Sequence, residues 1–328
     1  MVGRLATGIT SEDVIDCGET HIGTDTQRFT ISADTPRQDL GIRQHERTRL
    51  SADANEREGA MSGTGKSEPS GVTSREYKLI LVPDRFADRR GGAAALRDLV
   101  HLFAERNGAK VEDQGGEELR RTHYLDTKAH HLRDAGFALR VRFEDDQGQY
   151  KVSLKHRTSD RYLAASKNVR SAKPKDDDPK FEEDILPPFR SVFSRSNSRW
   201  FDELPKLKDI GDAVQLFPGL SALEAPKEAE LETVNSFEAH EVFRKLCKVK
   251  FKKGRKAKVG LSFWYHTPED RWPLIAECAF DYDTDDGDEF PIPVVEGANQ
   301  LFGFLQNQPG WFNFDATTKT KYVYEGLS

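Results

Sequence analysis

Charged side chains recur at every second position in several short segments of this chain. In an extended strand, that spacing puts them all on one face. Within 138–144, Arg140, Arg142 and Glu144 alternate with Leu139, Val141 and Phe143. Glu76 and Lys78 likewise oppose Tyr77 and Leu79, and Lys151, Ser153 and Lys155 oppose Val152 and Leu154. Lys180, Glu182 and Asp184 oppose Phe181 and Ile185, Lys248, Lys250 and Lys252 oppose Val249 and Phe251, and Glu277 and Asp281 oppose Cys278 and Phe280. Lysine and arginine donate to phosphate oxygens, and carboxylates are ligands for hard divalent cations. A face carrying both signs is suited to gripping a polyphosphate, whereas the same alternation on an open antiparallel sheet would only be a solvated surface.

Which of these holds depends on the elements that carry the residues. Alternation and flanking turn residues predict strands at 76–82, 121–126, 138–144, 150–155, 180–185, 247–253, 258–266 and 273–282. The turn Asp145-Asp146-Gln147-Gly148 joins two of them as a hairpin. Helical spacing of Ala95, Leu96, Leu99, Val100, Leu102 and Phe103, closed by Asn107-Gly108, predicts a helix over 93–105. Further helices are expected at 236–246 and 294–306, and a partly helical insertion at about 186–226. Eight strands in one α+β domain point to a mainly antiparallel, closed eight-stranded β-barrel with helices packed outside, since closure removes exposed edges. With the ionic face inward, such a barrel is a hydrophilic tunnel.

The chain has 328 residues, with 49 basic against 55 acidic side chains and a net charge of -6. That balance argues against a nucleic-acid coat or a polybasic membrane binder, so electrostatic specialisation must be local. Three cysteines, Cys17, Cys247 and Cys278, make no disulfide framework and no CxxC zinc spacing, which reads as a reducing, cytoplasmic setting. No apolar run approaches the roughly 20 residues of a membrane span. Residues 1 to about 73 are polar and without periodicity, and are expected to form a disordered leader before a domain at 74–328. Met61 offers an alternative start.

Three linked segments resemble the CYTH domains of the triphosphate tunnel metalloenzymes, a family that includes inorganic triphosphatases, thiamine triphosphatases and class IV adenylyl cyclases. They are Tyr124-Leu125-Asp126-Thr127, the run from Leu132 through Gly136 to Arg142, and Ser153-Leu154-Lys155. They are similar to the family's YxDT, LRxAGxALRxR and TLK signatures. The opening ExExK signature reads Ser74-Arg75-Glu76-Tyr77-Lys78, and the closing ExE reads Glu277-Cys278-Ala279, so a serine and an alanine stand in for two glutamates. The resemblance implies that Lys78, Arg140, Arg142, Lys155, Lys250 and Lys252 bind a triphosphate-bearing small molecule. It implies that Glu76, Glu182, Asp184, Glu277 and Asp281 hold Mg²⁺ or Mn²⁺, and that Glu182 and Lys155 are catalytic in metal-dependent hydrolysis. The alternatives are a non-catalytic polyphosphate or nucleotide-triphosphate binder with a degenerate metal site, and adenylyl cyclisation.

Other signals are weaker. Gly65-Lys66-Ser67 ends like a phosphate-binding loop, but the position five residues before Gly65 is Ala60 rather than glycine. Asp281-Tyr282-Asp283-Thr284-Asp285 begins like a calcium loop, but continues with Asp286 and Ile292 at the positions needing glycine and glutamate. The stretch 244–258 carries nine cationic residues, a solvated basic edge on this acidic chain. His130 and His131 lack zinc-ligand partners at the required spacing and read as surface histidines.

Overall fold

The computed structural model describes residues 71–173, 175, 177–252, 256–284, 289–314 and 318–326. The expected leader up to 70, Met61, Cys17, Gly65-Lys66-Ser67 and the acidic loop at 285–288 lie outside the described residues. In chain order the elements are β1 (Ser74–Leu81), α1 (Arg89–Asn107), β2 (Lys110–Asp113), β3 (Glu117–Thr127), α2 (His131–Asp134), β4 (Phe137–Glu144), β5 (Gln149–Thr158) and α3 (Arg161–Ala165). Then follow β6 (Lys180–Leu186), β7 (Arg190–Phe201), α4 (Ile210–Leu216), β8 (Leu231–Lys250), β9 (Lys256–Tyr265), β10 (Ile275–Asp283), α5 (Ile292–Gln306) and α6 (Lys319–Glu325).

The strands pair in the order β8-β3-β4-β5-β7-β6-β1-β10-β9, and β9 pairs back onto β8, which closes a barrel. Nine strands form it, one more than expected, and β2 adds a tenth to the sheet beside the last residues of β8. All neighbours are antiparallel except β1 and β6, which run parallel, so the barrel is mixed. The extra barrel strand is β7, inside the stretch expected to be an insertion. Its sequence, RSVFSRSNSRWF, has too few apolar residues to show alternation, yet it pairs with both β5 and β6.

The expected helix at 236–246 is instead the middle of β8, a strand of 20 residues. Glutamate, alanine, lysine and leucine there favour helix locally, but pairing with β3 on one side and β9 on the other overrides that preference. Asn235 and Ser236 have φ of 52° and 50° at the point where the β3–β8 register slips. They form a bulge that lets one long strand follow the curve of the barrel.

The apolar parity faces outward and is covered. Tyr77, Leu79 and Leu81 of β1, Val259 and Leu261 of β9, and Cys278 and Phe280 of β10 pack beneath Leu96, Val100 and Phe103 of α1 and Leu301, Phe302 and Leu305 of α5. Leu139, Val141, Val152 and Leu154 of β4 and β5 pack beneath Ile210 and Ala213 of α4. A third cluster joins Tyr322 and Val323 of α6 to Val234, Trp264 and Ile275. Each fully buried aliphatic or aromatic side chain contributes roughly 1.5–3 kcal/mol. A slip of one residue in β4 would place Arg140 and Arg142 under α4, so burial outside dictates which residues turn inward. Gly108, at φ 65°, ends α1 and returns its N–H to the Ala104 carbonyl.

Candidate functional site

The inward parity of every barrel strand lines a cavity of about 1340 Å³. Fourteen lysine and arginine side chains line it against eight aspartates and glutamates. In a chain of net charge -6 that is a local reversal of sign.

The run Tyr124-Leu125-Asp126-Thr127 sets the geometry of one wall. Asp126 is fully buried, and its Oδ1 accepts the N–H groups of Thr127 (2.7 Å) and Leu132 (2.9 Å). Its Oδ2 accepts the Arg133 N–H (3.0 Å) and the Tyr324 hydroxyl of α6 (2.9 Å). One carboxylate thus fixes the turn into β4 and docks the C-terminal helix. Gly136, at φ 79°, completes that turn, and a Cβ there would lie 2.9 Å from His156 Nε2. The entry to β4 is therefore held, and Arg140 and Arg142 reach the lumen at fixed register.

Asp184 is the hub of a first charge cluster. Its side chain is 1 % exposed and meets Lys78 Nζ at 2.9 Å, Arg157 Nη2 at 2.7 Å and Lys155 Nζ at 3.5 Å. Lys78 also reaches Glu76 (2.8 Å), and Lys155 reaches Glu182 (3.2 Å). Burial would raise the Asp184 carboxyl, but Lys155, Lys78 and Arg157 hold it far below the usual carboxylate range. Burial likewise opposes ionisation of Glu182, and Lys155 outweighs it. Burial would lower Lys78, but Asp184 and Glu76 push it well above an ordinary lysine.

A second cluster centres on Glu241 of β8, 2 % exposed, which meets Arg142 at 3.3 Å and Lys319 at 3.6 Å. Ser262 Oγ donates a short hydrogen bond to Glu241, and Thr122 donates another at 3.4 Å. Lys319 also donates to Glu277 at 2.9 Å. Despite its burial, the Glu241 carboxyl is held far below its ordinary value by Arg142 and Lys319.

Between these clusters two cations have no acid partner. Among the described residues Arg140 makes no hydrogen bond or ion pair, and burial together with Arg142 lowers its pKa. Lys151 lies over the Trp200 ring at 4.9 Å, and burial, with Arg140, Arg142 and Lys180, brings it down to about 8. Trp200, 44 % exposed, lies at the same register as Lys151 and lines the same cavity.

Of the residues expected at the site, Glu76, Lys78, Arg140, Arg142, Lys155, Glu182, Asp184 and Glu277 line the cavity. Lys250 and Lys252 do not: both are exposed, and the expectation for them is corrected. β8 slips register between Lys245 and Cys247, and Lys250 lies against β2, past the residues of β8 that do line the lumen, Glu241 and Phe243. Asp281 does not line the cavity either; it pairs with Lys258 at 3.4 Å, although it faces Glu76 across the β1–β10 ladder. Sequence reasoning missed Arg157, Glu241 and Lys319. Arg157 shares the parity of Lys155, so extending β5 by one turn of the alternation would have found it. Glu241 was hidden by the helical reading of β8, and nothing local marks Lys319.

The acidic residues do not fit a metal ion as arranged. No three His, Cys, Asp or Glu among the described residues are grouped to hold one. Glu76, Glu182 and Asp184 are each engaged by Lys78 or Lys155, and Glu277 by Lys319. Ala279, paired with Lys78 across the ladder, offers no oxygen.

No family model and no curated protein matches the chain. Solved structures that resemble it include a protein from Hippeastrum described as a candidate adenylyl cyclase with a dominant triphosphatase activity. That likeness has 15% identity and a TM-score of 0.42, covering 78% of this chain and 96% of that one. A candidate adenylate cyclase from Vibrio parahaemolyticus matches at 12% identity and TM-score 0.35, over 77% of this chain and 98% of its own. Another from Bacillus halodurans matches at 12% identity and TM-score 0.34, over 71% and 91%.

Proposed function

We propose that the barrel binds the polyphosphate chain of a triphosphate inside its lumen. The observation that carries this reading is the cationic excess, and above all Arg140 and Lys151, two inward cations that make no ion pair with a carboxylate among the described residues. A guanidinium in a low-dielectric cavity is suited to a bidentate grip on phosphate oxygens. Lys78, Lys155 and Arg157 can exchange one carboxylate partner for a phosphate oxygen without losing ionic compensation, because Asp184 is shared among them. Binding is then an exchange of pairs within a preassembled network.

The test is calorimetric titration of inorganic triphosphate and ATP into the wild-type protein and into Arg140→Ala, Lys155→Ala and the double variant Lys250→Ala/Lys252→Ala. A charged hydrogen bond contributes about 1.5–3 kcal/mol, and each 1.4 kcal/mol is tenfold in affinity. Arg140→Ala and Lys155→Ala should each weaken binding at least about tenfold, while the double variant keeps wild-type affinity. Tight binding lost only in the double variant would place the anion outside the barrel and overturn the reading.

A second reading, hydrolysis of the bound triphosphate, is favoured by the position of Glu76, Glu182 and Asp184 on the neighbouring strands β1 and β6, where Glu76 and Asp184 share a register. Phosphate release in Mg²⁺, Mn²⁺ or EDTA decides it. Release that needs a divalent cation and is lost in Glu182→Gln supports an enzyme; binding without release leaves a binding module.

A further inference from the structure

Lys319 opens α6, the C-terminal helix that packs through Tyr322 and Val323 against β8, β9 and β10. Its ammonium enters the barrel and donates to Ser262 Oγ at 2.6 Å and to Glu277 Oε1 at 2.9 Å, with Glu241 Oε1 at 3.6 Å. Ser262 donates its hydroxyl hydrogen bond to Glu241, so the lysine, the hydroxyl and both acids form one connected network. Trp264 lies beneath, its ring centroid 5.4 Å from the ammonium. The group is well buried: side-chain exposure is 16 % for Lys319, 13 % for Glu277 and 2 % for Glu241.

The charges at this end already balance. Glu241 and Glu277 supply two negative charges, and Lys319 with Arg142, 3.3 Å from Glu241, supply two positive ones. A divalent ion placed there would need about six oxygen ligands and would add charge beside Arg142 and beside Arg120 of β3, whose charge also acts on Glu241. Ala279, two residues beyond Glu277, adds no oxygen, so the carboxylates of Glu241 and Glu277 are the protein ligands a metal would have there, and Lys319 engages both.

We propose that Lys319 is a cation carried by the chain itself, seated between Glu241 and Glu277 where a divalent metal would otherwise bind, so that this end of the lumen takes no metal ion. The lysine neutralises both acids, and α6 delivers it. The proposal does not depend on which anion the barrel binds, and it concerns Glu277, for which the family resemblance implies a metal ligand.

The experiment titrates Mn²⁺, followed by water-proton relaxation and by thermal melting, into the wild-type protein, Glu277→Gln, Lys319→Met, Lys319→Arg and Lys319→Met/Glu277→Gln. The wild type and Glu277→Gln should titrate alike, because Glu277 holds no metal while Lys319 is present. Lys319→Met should melt at lower temperature than the wild type, bind Mn²⁺ at least tenfold more tightly, and regain melting temperature as Mn²⁺ is added. Lys319→Arg should keep the metal out, and the double variant should lose the site that Lys319→Met creates. Two results would overturn the proposal: a wild-type Mn²⁺ site that disappears in Glu277→Gln, or a folded Lys319→Met that gains no Mn²⁺ affinity. If Lys319→Met does not fold, the comparison of wild type with Glu277→Gln still decides. Because no triphosphate is present in any arm, failure here leaves the binding reading to its own calorimetric test.

Discussion

Replacing Asp184 with asparagine should destabilise the empty barrel and tighten its hold on an anion. The side chain is 1 % exposed and compensates three cations at 2.7–3.5 Å. Asparagine keeps the shape and removes the charge. Lys78 and Lys155 retain Glu76 and Glu182, but Arg157 makes no other ion pair among the described residues. Breaking a buried pair costs about 3–5 kcal/mol, and the surviving partners place this site near 3 kcal/mol. At about 2–4 °C per kcal/mol for a domain of this size, the melting temperature should fall by roughly 6–12 °C. The effect has a defined pH dependence. The Asp184 carboxyl is depressed in the folded protein, so its stabilisation is complete above the unfolded value of about 3.9 and fades as pH falls through the folded one. The gap between the two proteins should therefore be widest near neutrality and narrow below about pH 4. In EDTA, calorimetry with inorganic triphosphate should show affinity raised about tenfold, since the released cations then compete for phosphate alone. A variant that melts with the wild type, or that binds triphosphate more weakly in EDTA, would refute the idea that Asp184 acts as an internal stand-in for the anion.

Lys151 and Asp281 carry pH predictions of different kinds. Burial and the neighbouring Arg140, Arg142 and Lys180 bring Lys151 down to about 8, so it gains its proton as pH drops from 9 to 7. Triphosphate affinity should rise over that interval with proton uptake, and Lys151→Met should flatten the profile; calorimetry in buffers of different ionisation enthalpy reads both. Asp281 is raised to about 6, chiefly by burial and then by Glu76 and Asp283 against the opposing Lys258. The folded state therefore holds a proton there that the unfolded chain releases near 3.9, and stability should decline as pH rises from about 4 to 6. Asp281→Asn should remove that slope in urea midpoints measured at pH 4.5 and 7 while leaving triphosphate binding unchanged, because Asp281 is outside the lumen.

What the sequence disclosed followed from alternation. Arg140 and Arg142 were legible because each sits between apolar neighbours, and Lys155, Glu182 and Asp184 because each has one on one side, Leu154, Phe181 or Ile185, and the burial of those neighbours fixes which face turns inward. β7 was illegible for the opposite reason: serine, asparagine and arginine occupy both of its parities, so no apolar face announced a strand. β8 was misread because its local composition favours helix while two neighbouring strands impose extension. Lys250 and Lys252 show the limit of parity. The alternation is real, but Lys250 is the last residue of β8, where the strand pairs with β2 and the start of β9, and Lys252 lies beyond the strand, so neither lines the lumen; where a strand ends in the barrel depends on pairing partners that lie far away in the chain. Lys319 had no local signal at all, because its role is set by Glu241 and Glu277 on strands it meets only in space.

Most of the apolar packing of this fold lies outside the lumen. Two of the three apolar clusters lie between the barrel wall and the helices that cover the outer face of the strands, and the third packs α6 against Tyr124 and Trp264, which line the cavity. A buried ion pair is weak evidence for stability, because apolar replacements of similar volume often do as well or better. An interior of eight acids and fourteen bases therefore calls for a reason other than folding. The distribution supplies one. Every acid in the two central clusters already has a basic partner, and Arg140 and Lys151, which make no ion pair among the described residues, stand on adjacent strands between those clusters. An anion in the lumen finds uncompensated charge there and exchangeable pairs on either side of it. A cation meets carboxylates that have already been claimed. That asymmetry is what the proposed receptor for polyphosphate requires, with the cationic partners of its carboxylates supplied by the chain itself.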